Sequence, residues 1–159
     1  MIFVSCGTEK YPFNRLVSGI SDAIEKGLIK DRVVIQGSLL GHKPDTCEFV
    51  GVLPFDTFID LVKGSDIYVC HGGAGSLIAG LSSGKRPVAV PRYKKLQENV
   101  DDHQVELTLR LAREGLVIPC LDHDDLAAKI SEARTSSMID YAPPERATLL
   151  KYLRDILCP

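Results

Sequence analysis

Short apolar runs alternate with amphipathic stretches along the chain, and the two periods predict a regular succession of strands and helices. Ile2–Ser5 reads as a buried strand. Phe13, Leu16, Val17, Ile20 and Ile24 recur at helical spacing, with Pro12 near the start and Gly27 near the end. Arg32–Gln36 is a second strand ended by Gly37, and Cys47–Val50 a third ended by Gly51. Phe55, Phe58, Ile59 and Val62 mark a short helix between Pro54 and Gly64. Asp66–Cys70 is a fourth strand that opens onto His71-Gly-Gly-Ala-Gly-Ser76, and a helix follows to about Ser83. Pro87–Val90 is a fifth strand. Val100, Gln104, Leu107 and Leu111 then line a long helix that stops at Gly115. Leu116–Pro119 is a sixth strand and Asp122–Ala133 a helix, with Asp122 or Asp124 as its cap. A loop over Thr135–Pro144 precedes a last amphipathic helix at about 145–157 that carries Leu149, Leu150, Leu153, Ile156 and Leu157.

Strands that are almost wholly apolar and alternate with helices predict a parallel sheet covered on both faces. The fold class is α/β, a Rossmann-like doubly wound parallel sheet. Ligands in such sheets bind beyond the carboxyl ends of the strands, which directs attention to the loops after each strand.

Composition narrows the picture. The 159 residues are 45% apolar and 25% charged, which fits one globular domain spanning 1–159. An active cleft between two full domains would therefore need a second polypeptide. Acidic residues (21) outnumber basic ones (19), for a net charge of −2, which argues against nucleic acid as a partner. The apolar start, Met1–Cys6, is too short for a signal-peptide core, and no run reaches the length of a membrane span, so a cytoplasmic location is expected. The five cysteines form no C-x-x-C pair and read as reduced thiols, with Cys6, Cys70 and Cys120 in the core. His42 and His123 read as surface histidines.

The strongest chemical candidate is the segment His71–Ser76, between a strand and a helix. Three glycines in four positions let the backbone bend and approach a ligand, and the helix that follows presents unpaired N–H groups. A phosphate or diphosphate is the natural guest, with Ser76 adding a hydroxyl and His71 a ring nitrogen. The dinucleotide fingerprint fails because Ile78 stands where the third glycine belongs. Gly80–Arg86 fails as a P-loop on spacing and on Arg86, where a hydroxyl must hold magnesium. The segment Pro91–Gln104 is dense in hydrogen-bonding groups. Glu98 suits paired sugar hydroxyls, and Asn99, His103 and Gln104 suit further ones. Gly7 and Thr8, after the first strand, face the same crevice.

Taken together and in order, Ile2–Glu9 with Tyr11–Leu16, Asp66–Ser76, Lys85–Arg92 and Glu98–Gln104 resemble the carboxyl-terminal domain of family 28 glycosyltransferases over roughly residues 1–130. The likeness is greatest to its stand-alone catalytic subunits, of the kind found in the dolichol-linked N-acetylglucosaminyltransferase and in bacterial exopolysaccharide and capsule assembly. The resemblance implies one half of a GT-B enzyme. Gly72, Gly73, Ala74, Gly75 and Ser76 would cradle the diphosphate of a UDP-sugar. Gly7 and Thr8 would approach it from the neighbouring strand, and Glu98, Asn99, His103 and Gln104 would face ribose or the donor sugar. The implied partner is a membrane-associated subunit that binds a lipid-linked sugar acceptor and recruits this chain to the cytoplasmic membrane face. Full-length relatives carry a ribose-binding glutamate after the glycine loop, where Leu77–Gly80 offers no carboxylate. Either Glu98 takes that role or ribose is held otherwise.

The implied reaction is inverting hexose transfer to a polyprenyl-diphosphate-linked acceptor, without cofactor or metal. His71 is the candidate catalytic base within the chain, and a carboxylate or histidine of the partner is the alternative. A nucleotide-sugar-binding regulatory module is the competing reading. An NAD(P) oxidoreductase is disfavoured by Ile78 and by Gln36-Gly37, where an acidic residue should close the second strand.

Overall fold

The computed structural model describes residues 1–37, 44–122 and 125–136. His42, His123, Asp124, Cys158 and the expected last helix lie outside them. Within the described residues the order is β1 (Ile2–Ser5), α1 (Asn14–Glu25), β2 (Val33–Gln36), β3 (Glu48–Val50), α2 (Phe55–Gly64), β4 (Ile67–His71), α3 (Ala74–Ser82), β5 (Val88–Val90), a 3-10 turn (Lys94–Leu96), α4 (His103–Arg113), β6 (Ile118–Pro119) and α5 (Leu126–Thr135).

The strands form one sheet in the order β3-β2-β1-β4-β5-β6, and every pairing is parallel. Alternate side chains of each strand enter two cores, as a sheet covered on both faces requires. One core joins Ile2, Val4, Ile35 and Val69 to Leu16 and Ile20 of α1 and Ile130 of α5. The other joins Phe3, Val34, Tyr68 and Ala89 to Val62 of α2, Leu77 of α3 and Leu107 and Leu111 of α4. Cys6, Cys70 and Cys120 are buried free thiols, as expected. The chain reverses its direction of winding between β1 and β4, so the loops after these two strands diverge and leave a crevice.

Two boundaries depart from expectation in ways that bear on function. The fourth strand runs one residue further, and His71 pairs with Val90 of β5. It is therefore a strand residue, not part of a free loop. The long helix begins at His103, and Val100 is 61% exposed rather than part of the buried stripe. Gln97 takes a left-handed conformation (φ 57°). Asp102 accepts a hydrogen bond from the Lys94 N–H (2.9 Å) and Asp101 one from the His103 N–H (3.1 Å). These bonds hold residues 94–102 as a folded loop and delay the helix.

The loops beyond the sheet are fastened by Arg92, which follows β5 and Pro91. Its side chain is 1% exposed. Nη2 donates to the Cys6 carbonyl (2.7 Å), and Nη1 donates to those of Tyr11 (2.9 Å) and Glu98 (3.0 Å). The guanidinium lies over the Phe13 ring, 4.5 Å from its centroid. One cation thus ties the loop after β1 to the loop after β5. Arg92→Met is expected to lower the unfolding free energy by ~3 kcal/mol, because three carbonyls lose a charged donor in a buried place. Urea unfolding followed by circular dichroism measures this; a loss below ~1 kcal/mol would contradict the assigned role.

Candidate functional site

The crevice between β1 and β4 has a volume of about 390 Å³. Ser5, Gly7, Thr8 and Glu9 line it from the first strand and its loop, Gln36 from β2, and His71, Gly73, Gly75 and Ser76 from the glycine segment. Leu53, Phe55 and Phe58 form an apolar wall on the α2 side. A larger groove, about 610 Å³, runs along α1 away from the strand ends. Asp22, Glu25 and Asp45 line it, and that acidic lining is hostile to phosphate.

The glycines of the loop answer different steric demands. A Cβ on Gly72 would lie 2.7 Å from Thr108 Oγ1 and 2.9 Å from the Gln104 carbonyl oxygen, so Gly72 lets α4 approach. Its Cα thus faces α4, and Gly72 is not among the residues that line the crevice. A Cβ on Gly73 would lie 2.4 Å from His71 Nε2, and one on Gly7 (φ +78°) 2.7 Å from His71 Cε1. These two glycines make room for the imidazole. A Cβ on Gly75 meets nothing within 4 Å, so this residue opens directly onto the crevice. The first helical bond of α3 runs from the Leu77 N–H to the Gly73 carbonyl (3.1 Å). The N–H groups of Ala74, Gly75 and Ser76 precede that ladder, and no side chain caps them.

His71 is buried beside these donors. Its Nδ1 lies 3.3 Å from the Ser5 carbonyl and 3.4 Å from Ser76 Oγ. A carbonyl only accepts, so the Nδ1–H tautomer satisfies the contact with Ser5. Burial, reinforced by the positive charge of Arg92, pushes the imidazole pKa down to about 4. The ring is neutral at pH 7 and a weak proton acceptor there, because a general base works best with a pKa near the working pH. The structure thus speaks against His71 as the catalytic base.

The second candidate segment is put to other uses. Glu98 is 5% exposed. Its Oε1 accepts from Arg15 Nε (3.0 Å), and its Oε2 accepts from Arg15 Nη2 (2.9 Å) and the Tyr93 N–H (3.0 Å). Arg15 also donates to the Pro91 carbonyl (2.7 Å) and lies against the rings of Phe13 and Tyr93. Three of the four acceptor positions of this buried carboxylate are thus filled from within the protein, and the structure gives Glu98 a bracing role rather than the ribose contact expected from sequence. Gln104 Oε1 accepts from the Arg92 N–H (3.2 Å) and so secures the end of β5. Asn99 and His103 both turn to Asp101, at 3.3 and 3.2 Å. None of these four residues lines the crevice, whereas Gly7, Thr8, Gly73, Gly75 and Ser76 all do. Ala74 is in contact with the core beneath α2, α3 and α4 and offers its backbone N–H.

Glu98→Gln is expected to lower stability by ~2–3 kcal/mol, since it strands a buried guanidinium; thermal and urea unfolding would show it. The depressed His71 pKa has a signed consequence. The unfolded chain, with a pKa near 6.5, takes up the proton before the folded one does. The contribution is complete above about pH 6.5 and is lost as pH falls toward and below 4, by roughly 3 kcal/mol in all. The decrease in unfolding free energy from pH 7 to 4.5 should be smaller in His71→Asn than in the unmodified protein, and equal decreases would refute this.

The geometry can be set beside known proteins. A model of the glycosyltransferase family 28 C-terminal domain matches residues 1–156. The UDP-N-acetylglucosamine transferase subunit ALG13 of Homo sapiens is 30% identical over 128 residues, which is 75% of this chain but only 11% of that protein. The chain thus spans about a tenth of this relative's length. The solution structure of ALG13 superposes with a TM-score of 0.58 at 17% identity, covering 96% of this chain and 93% of that one. Arabidopsis thaliana UGT89C1 complexed with UDP gives a TM-score of 0.60 at 20% identity, covering 98% of this chain and 38% of that one. At these identities the two structures show a shared fold. With the family model matched over nearly its whole length, the chain belongs to the glycosyltransferase family 28 C-terminal domains.

Proposed function

We propose that this chain is the UDP-sugar-binding half of a two-component inverting glycosyltransferase. The observation that carries the reading is the crevice at the β1/β4 divide, where the free N–H groups of Ala74, Gly75 and Ser76 converge at the start of α3. Such a helix end favours an anion, and Gly75 leaves the approach clear. The wall of Leu53, Phe55 and Phe58 suits the apolar faces of a nucleoside. The human relative's designation as a UDP-N-acetylglucosamine transferase subunit supports both the donor class and the need for another chain.

Transfer with inversion passes through an oxocarbenium-like state that sheds a diphosphate. Negative charge develops on that leaving group, and donors oriented beforehand stabilise it without reorganising. The backbone N–H groups supply this stabilisation without a metal. The base that takes the acceptor proton comes from the partner, because His71 is too weakly basic. The acceptor is a polyprenyl-diphosphate-linked sugar in polysaccharide or lipid-linked oligosaccharide synthesis, brought by a membrane-associated subunit. Among the described residues no helix is long and apolar enough to cross a membrane. Absence of a poised base equally favours a binding module without transfer activity; sugar transfer on adding the partner would separate the two.

Gly75→Asp is the clean test. The new side chain enters open space, and an acidic residue in the first turn of a helix is mildly stabilising. Gly73→Asp is less informative because it displaces His71. Gly75→Asp is expected to keep or slightly raise the unfolding midpoint while abolishing UDP binding in calorimetry. Glu98→Gln should leave the affinity within about twofold, since the carboxylate stands outside the crevice. UDP binding that survives Gly75→Asp would dismiss the cradle.

A further inference from the structure

The second core contains a polar group that nothing so far uses. Tyr68 of β4 is 1% exposed, and its hydroxyl has no hydrogen-bond partner. Its ring is held from three sides. Phe3 stacks on it at 5.8 Å, and Phe58 meets it edge-on at 6.4 Å. Gly80 of α3 supplies the third side: a Cβ there would lie 2.8 Å from Tyr68 Cδ1 and 3.0 Å from Cε1. Gly80 therefore lets one edge of the ring approach α3 closely. Ser76 is one turn earlier on the same helical face, and the side chains of Ser5, Ser76 and Cys70 surround the hydroxyl. Two of those, Ser5 and Ser76, line the crevice.

A buried hydroxyl without a partner is unfavourable, and phenylalanine of the same shape would avoid the penalty. We propose that Tyr68 is a positioning residue that acts through Ser76: when a diphosphate occupies the crevice, the unpartnered phenol donates its proton to Ser76 Oγ and so directs the serine hydroxyl at the diphosphate. This rests on the UDP-sugar reading of the crevice. A serine oxygen has two lone pairs and one proton. The His71 Nδ1–H that meets the Ser5 carbonyl (3.3 Å) is shared with Ser76 Oγ at 3.4 Å and occupies one lone pair. Tyr68 fills the other. Ser76 then has only its proton to offer, and the crevice selects an acceptor atom such as a phosphate oxygen. Hydrogen bonds in such a chain strengthen one another in a low-dielectric setting. No bond is made or broken; the residue orients a donor.

The test uses UDP binding to the purified chain, measured by calorimetry on the unmodified protein, Tyr68→Phe, Ser76→Ala and the double variant, with unfolding midpoints taken without UDP. Tyr68→Phe is expected to keep or raise the midpoint while weakening UDP three- to tenfold. On the Ser76→Ala background the same change should have no further effect. A Tyr68 that only packs would give a higher midpoint and unaltered affinity, which overturns the proposal while leaving the functional reading intact. An undiminished Tyr68 effect in the absence of Ser76 also overturns it, by routing the effect through Ser5 or the core. If the unmodified chain fails to bind UDP, both readings fall.

Discussion

The arrangement beyond the sheet depends on a cation kept out of water. The two terminal nitrogens of Arg92 donate to three backbone carbonyls, and its face lies on Phe13. Only a planar fork reaches acceptors from residues 6, 11 and 98 at once, which a lysine ammonium on a flexible stem cannot do. Burial lowers its pKa, and the neighbouring Glu98 and Cys6 act in the opposite direction. The Arg15–Glu98 pair sits beside it and ties the first turn of α1 to the loop after β5. Charge in this part of the molecule is structural first. Its effect on the crevice is indirect, through the field that keeps His71 neutral.

A division of labour follows within the glycine segment. Gly72 serves helix packing, Gly73 serves the imidazole, and Gly75 serves access. Spacing alone suggested a single cradle made of consecutive residues. The helical turn explains the difference, because neighbouring positions in a tight strand-to-helix junction point in different directions. A row of small residues thus encodes two separate close approaches and one opening onto the crevice.

Much of the fold was legible because a parallel sheet buried on both faces writes unbroken apolar runs, and Ile2–Ser5 and Ile67–Cys70 are such runs. The crevice was legible for a topological reason, since β1 and β4 flank the reversal in strand order. The roles in Pro91–Gln104 were not. Glu98 meets Arg15, 83 positions away, and a hydrogen-bonding residue looks the same in sequence whether it awaits a sugar or a guanidinium. Val100 satisfies helical periodicity, yet the αL residue Gln97 and the Asp101 and Asp102 carboxylates fold the chain differently. Phe55 and Phe58 read as ordinary helix-face residues and Leu53 carried no signal; their placement on the crevice wall depends on where β3 releases the chain.

The bare end of α3 carries a last implication. A helix normally recruits a side chain to finish its first turn, and this one does not. Under the proposed function, an anion on Ala74, Gly75 and Ser76 would supply the missing cap, and its occupancy would be coupled to the local folding of α3. Part of the binding energy is then spent completing a secondary-structure element. Loaded and empty forms would differ less in shape than in how readily that turn frays, and amide exchange at the tip of α3 would register the ligand before any global measurement did.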